Sequence, residues 1–460
     1  MNTRKMMLAS SLAAIFACCF SGTLGGCGDD GSSTAGEPNT DGTGDASVDA
    51  ESDAAVADDG DTDVNEKDVA DVECAGYETR CGSQCCTSTQ RCEANACVDQ
   101  PIISAGGMHT CAASSSGKAK CWGDNSWGQL GFGNGPLESK LPLQVAGLES
   151  DVAFLASGGT SACALQTEGK VWCWGMNVDG KLGVGNNSPR VWYPRPVIGL
   201  PSDRIVAIHP GESHVCALTN RGEVYCWGDN SEGQLGDGTF VYKAVPTRVV
   251  GLRSPAIAIG ASAFATCALT SDKRVSCWGL GAIGNGNHGP QASPAPVMGL
   301  EHSVVAISNP GYSACALTSD GDVYCWGENS FGQLGDGSQD DRLVAVRVVD
   351  LPAKIKAVAV GDVHVCAITS ANGVVCWGSN EYGQLGVGIT PTELPFSKTP
   401  RQLSTLTSGV MALSAGVAHN CVVLEDGKAK CWGANPHGEL GNGNSDNKSS
   451  PDAVKDFPWE

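Results

Sequence analysis

The chain has 460 residues, which by length alone would fill about three ordinary domains, yet its composition favours another solution. It holds 61 Gly and 23 Cys, with only 6 % aromatic and 17 % charged residues, so long solvated helices and a reducing compartment are both poor fits. The net charge of −21 makes nucleic acid a poor partner, because phosphate binding needs clustered Lys and Arg. An exported all-β protein fits best.

Residues 1–27 read as a secretory signal. Arg4 and Lys5 precede an apolar run from Met6 to Phe20 that is too short to span a membrane, and small residues follow from Ser21 to Gly26. The sequence Leu24-Gly25-Gly26-Cys27 resembles the bacterial lipobox, so Cys27 is the expected lipidation site and mature N-terminus. Residue 28 is Gly and not Asp, so nothing there resembles an inner-membrane retention signal, and an outer-membrane anchor is expected, with secretion as the alternative. The membrane is then touched only through the lipid.

From 28 to 73 the chain carries 16 acidic residues against the single Lys67. With almost no large apolar side chains, it cannot offset its ordering entropy, and a disordered, self-repelling linker is expected. Asp59, Asp61, Asp63 and Asn65 alternate as in a calcium loop, but the glycine at loop position 6 and the acid at position 12 are missing. Residues 74–100 then pack six cysteines, Cys74, Cys81, Cys85, Cys86, Cys92 and Cys97. So short a module needs disulfides to hold it, and sequence leaves the pairing open.

The remainder, 101–460, is a repeat. Seven Cys-Trp-Gly triplets begin at Cys121, Cys173, Cys226, Cys277, Cys325, Cys376 and Cys431, each preceded by another Cys ten positions earlier. In the stretch from Cys315 to Cys325, apolar runs flank Ser319-Asp320-Gly321, a hairpin loop whose Gly supplies the left-handed position. Folding about Asp320 opposes Leu317 to Val323 and Cys315 to Cys325, close enough for a disulfide. The same register predicts Cys111–Cys121, Cys163–Cys173, Cys216–Cys226, Cys267–Cys277, Cys315–Cys325, Cys366–Cys376 and Cys421–Cys431. Each repeat of about 51 residues holds enough strand for one four-stranded antiparallel blade, and seven blades closed into a ring protect their edges.

At this point the residues resemble a known family. His214-Val-Cys-Ala-Leu218, Gly222-Glu-Val-Tyr-Cys-Trp-Gly228, Asn230, Gly233-Gln-Leu-Gly236 and Gly238 are similar to the regulator of chromosome condensation repeat, recurring seven times over 101–460. The resemblance implies a seven-bladed β-propeller. The chain departs from the pattern by a cysteine pair in every blade, and blade 4 lacks the Gly-Gln-Leu-Gly loop after Trp278-Gly279.

The seven tryptophans of the triplets read as inter-blade packing. His109, His214, His364 and His419 share one site, where the other blades place Ser161, Ala265 and Ser313; a structural hydrogen bond explains this better than a metal ring. No nucleophile elbow, metal-helix motif, phosphate loop or dinucleotide fingerprint occurs, and no cofactor or metal is implied. Two function classes compete. One is a non-catalytic, monomeric scaffold at the cell envelope, with one rim recognising an unidentified protein; resemblance to secreted propellers that clamp β-lactamases adds inhibition as a variant. The other is a polysaccharide hydrolase or lyase. Clustered carboxylates at a channel mouth would favour the enzyme, and an aromatic rim the binder. Nucleotide exchange on a small GTPase, known for nuclear members, is a distant third.

One loop position varies freely across blades, the residue before the second Gly of W-G-x-N-x-x-G. It reads Trp127, Asp179, Glu232, nothing in blade 4, Phe331, Tyr382 and His437. Ring closure makes Phe331, Tyr382, His437 and Trp127 one arc, with Asp179 and Glu232 opposite. That arc is the expected recognition site, with Trp127 and Tyr382 as anchors.

Overall fold

The structure is a computed structural model that describes residues 101–459 other than Asn187, together with the backbone of four short strands between Thr79 and Asp99. The lipidation site Cys27, the linker 28–73, the calcium-like stretch 59–65 and the side chains of the six-cysteine module lie outside the described residues. Within the module, Thr79–Cys81 pairs with Gln84–Cys86, and Gln90–Glu93 pairs with Ala96–Asp99, placing Cys92 opposite Cys97 along the backbone.

Seven four-stranded antiparallel sheets follow, each a meander in strict chain order. Blade 1 is Ile102–Ala105, His109–Ala113, Ala119–Asp124 and Glu138–Gln144; blade 7 is Val410–Ala415, His419–Leu424, Ala429–Gly433 and Lys448–Ala453. First strands line a central channel of about 320 Å³. Second and third strands are buried and small-residue rich, which lets blades pack closely around the axis. The expected register holds: Cys315 opposes Cys325, Leu317 opposes Val323, and Gly321 turns the chain at φ 77°. All seven pairs are bonded within their blades, with Cα atoms 4.1 Å apart.

The seven tryptophans are fully buried and join blades. In six seams the indole N–H donates to a loop carbonyl of the preceding blade: Trp174 to Gln129, Trp278 to Gln234, Trp326 to Ala282, Trp377 to Gln333, Trp432 to Gln384 and Trp122 to Glu439, at 2.7–2.9 Å. The glycine of each Gln-Leu-Gly loop is required there, since a Cβ on Gly236 would meet the Trp278 Nε1 at 2.5 Å. In blade 4, Ala282 and Ile283 replace the missing Gln-Leu, and the carbonyl is kept.

The buried histidines complete this stitching. His419 Nε2 lies 2.8 Å from Thr110 Oγ1, His214 Nε2 2.8 Å from Thr266 Oγ1, and His364 Nε2 2.9 Å from Asn420 Oδ1, in each case on the following blade. Thr110, Thr266 and Asn420 in turn donate to the carbonyl that receives the indole. The hydroxyl hydrogens of Thr110 and Thr266 are thereby spent and Asn420 presents its amide oxygen, so each imidazole donates from Nε2. His109 faces blade 2, whose corresponding residue is Ala162, and both of its ring nitrogens lack a partner. Ser161 and Ser313, facing Val215 and Val365, are orphaned for the same reason.

Blade 7 meets blade 1 with the same parts. Trp122 donates to Glu439, Val417 N–H to the Gly106 carbonyl at 3.1 Å, and Ala105 N–H to Ser414 Oγ at 2.9 Å. Beyond the last strand, Phe457 and Trp459 pack edge-on, and Trp459 sits 6.1 Å from Trp122 with its N–H on the Lys118 carbonyl at 3.3 Å.

Candidate protein-binding face

A four-stranded meander puts the turns between strands 1 and 2, and the longer segments between strands 3 and 4, at one end of every blade. We call this end the loop face. The short turns between strands 2 and 3 and the blade-to-blade connections lie at the other end, the turn face.

The long segments are rigidly built. In blade 1, Asn125 Oδ1 accepts the Leu130 N–H at 3.1 Å, and Gln129 Oε1 accepts the Trp127 N–H at 2.9 Å while its Nε2 donates to Asp124 at 2.6 Å. Equivalent bonds pin the backbone N–H groups of Glu232, Phe331, Tyr382 and His437 at 2.8–3.0 Å. The variable residue of these five blades thus has a fixed backbone, which limits the entropy lost on binding.

The loop-face side chains differ in their surroundings. Phe331 and Tyr382 are 37 % and 41 % exposed. Trp127 is half-buried beneath the Arg190 guanidinium, 4.8 Å from its ring centre, so part of it packs on blade 2. His437 is half-buried with Nδ1 3.3 Å from Glu138 of blade 1. Asp179 is exposed in a left-handed turn at φ 56°, and Glu232 is half-buried. Phe331, Tyr382, His437 and Trp127 lie on blades 5, 6, 7 and 1, consecutive across the closed seam.

Sequence reasoning passed over other exposed apolar residues on this face. Phe240, Val241 and Tyr242 of blade 3 are 51 %, 58 % and 59 % exposed, at a position where blade 5 has Gln339-Asp340-Asp341. Their run of three was visible but fell outside the repeat motif. Met108, Phe264 and Val417, 39–42 % exposed, stand in the turns around the channel mouth.

The charge distribution is one-sided. The turns and segments of the loop face hold fourteen Asp and Glu against one basic residue, Lys181, while Arg190, Lys243 and Arg342 stand at the adjoining ends of the fourth strands. The turn face holds twelve against nine Lys and Arg. Lys181 is buried, with Nζ donating to the Glu212 carbonyl at 2.6 Å, and burial pulls its pKa down to about 8. At the mouth, burial and the charges of Glu212 and Glu328 push Asp362 up to about 7, and burial beside the same acids pushes the Tyr312 phenol up to about 12. Burial and Asp341 also raise Glu328.

By contrast, the imidazoles at the seams are sealed. Burial pushes His109, His214 and His364 down to about 4 and His419 to about 3, so they are neutral at pH 7 and have no solvent access. What the loop face offers is negative charge, apolar surface and fixed backbone.

A seven-bladed ring with this loop grammar defines a class, and comparison with known proteins agrees. The RCC1-like domain model matches residues 119–460, and the Regulator of chromosome condensation (RCC1) repeat matches 102–129. The chain belongs to the RCC1-like family. It is 31 % identical to the Ultraviolet-B receptor UVR8 of Arabidopsis thaliana over 78 % of this chain and 70 % of that protein. It is 30 % identical to the Secretion-regulating guanine nucleotide exchange factor of Mus musculus over 73 % of this chain and 78 % of that one. The solved structure of human WBSCR16 superimposes with a TM-score of 0.66 at 22 % identity, covering 74 % of this chain and 94 % of the other, which supports the fold alone.

Proposed function

We propose that the chain is a non-catalytic protein-binding scaffold, exported and held at the cell envelope by a lipid on Cys27, with the loop face recognising its partner. One observation carries the reading: Phe331 and Tyr382 project exposed aromatic rings from backbones pinned by Gln333 and Gln384, beside Trp127 and His437 on the same arc. Rigid aromatic anchors on a polar surface are the composition of an interaction hot spot. Replacing Trp127 and Tyr382 together by Ala should weaken binding of a partner captured from envelope proteins by several kcal/mol and leave the melting temperature nearly unchanged. Lost stability with retained binding would return both residues to packing.

A second reading, a polysaccharide hydrolase, is favoured by the Glu212, Asp362 and Glu328 carboxyls at the mouth, one of them held protonated up to about pH 7. Its requirement is a pair of carboxyls in acid and base roles on one glycosidic bond. Glycan release that vanishes in Asp362→Asn would support it. Guanine nucleotide exchange, named in one relative, needs a GTPase in the same compartment, which the export signal argues against.

A further inference from the structure

The loop face combines two independent features. The first is apolar exposure: Met108, Phe264 and Val417 stand 39–42 % open at the mouth on blades 1, 4 and 7, and Phe240, Val241 and Tyr242 are more than half open farther out on blade 3. A soluble protein rarely concentrates such residues without a partner. The second is charge. Between the apolar blades, Glu212 on blade 3 and Asp362 on blade 6 stand in the strand 1–2 turns at the mouth, near Tyr312 and Glu328 of blade 5, and the base beside them, Lys181, is buried with its Nζ on the Glu212 carbonyl.

These acids are built in at a cost. Glu212 lies on a turn whose neighbour, Gly159, has no side chain, and a Cβ there would stand 3.2 Å from the Glu212 Cγ. Gly311 likewise has no room for a Cβ beside Asp362, whose Cα would be 2.7 Å away. Like charges brought together in a half-buried mouth repel one another. A proton on Asp362 relieves that repulsion below about pH 7, and above it an incoming cation does so without a protein rearrangement, while the exposed apolar side chains around it ask for a partner that carries apolar surface as well. Small cations satisfy the first demand and not the second. Nucleic acid and anionic lipid are disfavoured by turns and segments that hold fourteen acids and one buried lysine, even with Arg190, Lys243 and Arg342 at the adjoining strand ends.

We propose that the loop face docks a cationic segment of a protein, one that seats a lysine or arginine at the channel mouth against Glu212, Asp362 and Glu328 while neighbouring apolar side chains rest on Met108, Phe264 and Val417. The inference rests on the protein-binding reading and names the chemistry of its partner. Arginine suits the site better than lysine, because its planar fork stacks on Tyr312 and bridges two carboxylates. Charge steers the encounter and apolar contact retains it, so affinity should fall with salt without disappearing.

The test uses the full chain and a labelled synthetic peptide alternating Arg with Leu, followed by fluorescence anisotropy, with a Glu/Leu peptide as control. The cationic probe should bind and the acidic one should not. The isosteric triple variant Glu212→Gln, Asp362→Asn, Glu328→Gln should weaken binding about tenfold, equivalent to ~1.4 kcal/mol. The matched turn-face variant Glu149→Gln, Glu301→Gln, Asp350→Asn should leave it unchanged; the acidic linker is common to both and cancels. Binding by the wild type should also weaken from pH 8 to pH 6, as Asp362 takes up its proton among Glu212, Glu328 and Tyr312. Equal losses from the two triple variants, or equal binding of the acidic peptide, would overturn the proposal. Met108→Ser with Phe264→Ser separates the two levels: if it abolishes capture of an envelope partner while the charge variants do nothing, the cationic inference falls and the binding face stands. If neither set affects capture, both fall.

Discussion

The two ends of the ring are made by the same strands and differ in nearly everything else. On the turn face, four or five residues reverse the chain between strands 2 and 3, and acids and bases are close to balance. Several of these charges pair locally, as Asp322 does with Arg347 and Lys354 at 3.2 and 2.9 Å. On the loop face, segments of eleven to sixteen residues join strands 3 and 4, carry an excess of acids of which Asp237 and Asp336 pair with Lys243 and Arg342, and supply the carbonyls that receive the seam indoles. Long segments on a rigid scaffold are where binding residues accumulate, while short turns serve closure. The difference teaches that the seam bonds have two roles: they join blades, and they fix the base of the binding surface.

The sharpest way to break that comparison is to cut beneath one face and on the surface of the other. Trp432→Ala removes a fully buried indole and its bond to the Gln384 carbonyl, and should cost ~3–5 kcal/mol in chemical denaturation. Lys428→Ala on the turn face, whose partner Asp426 is itself exposed, should change stability by less than ~0.5 kcal/mol. Similar costs for the two would mean that the seams do not carry the ring.

Acid should act through the seams as well. The four buried imidazoles have folded pKa values of about 3 to about 4, below their ordinary 6.5. The unfolded chain therefore takes up protons first, and their contribution is present above about pH 6.5 and lost as pH falls toward 4. Asp362, raised to about 7, works in the opposite direction, as do Glu328 and Glu439, which burial also raises, but His209, likewise pushed down to about 4, brings the imidazoles to five against three. The melting temperature should thus drop on going from pH 7 to pH 5. A flat profile over that interval would show that the imidazoles are not sealed.

A smaller gain concerns a gap in the stitching. In blade 2, Ala162 stands where Thr110, Thr266 and Asn420 answer a histidine in their own seams, leaving His109 without a partner. Ala162→Thr should restore the bond and raise stability by ~1 kcal/mol, visible as a higher melting temperature. A decrease would indicate that the seam between blades 1 and 2 has no room for the added methyl and hydroxyl.

Much of the fold was legible because its information is local. The interval between Cys315 and Cys325 spans one hairpin, so ten residues suffice to set turn, register and disulfide. The histidines were harder. Their shared position was evident, yet the residue that explains each lies on the next blade, and for His419 it is Thr110, 309 positions away. Ring closure had the same difficulty, since nothing near Trp122 announces Glu439 or Trp459. The charge asymmetry was present in the composition but invisible until alternate loops were assigned to one end. Trp127 shows the limit of motif comparison: its place in the repeat matches that of Tyr382, but Arg190 covers it, and no repeat position encodes that neighbour.

The central claim, that the loop face is where this protein meets its partner, is tested most directly by hydrogen exchange with and without a captured partner. Protection should appear in the segments around 328–341, 380–395 and 434–447 and in the mouth turns near Glu212 and Asp362, leaving the strand 2–3 turns at their free rates. Protection confined to those turns and to the blade connections, with the loop segments unchanged, would contradict it.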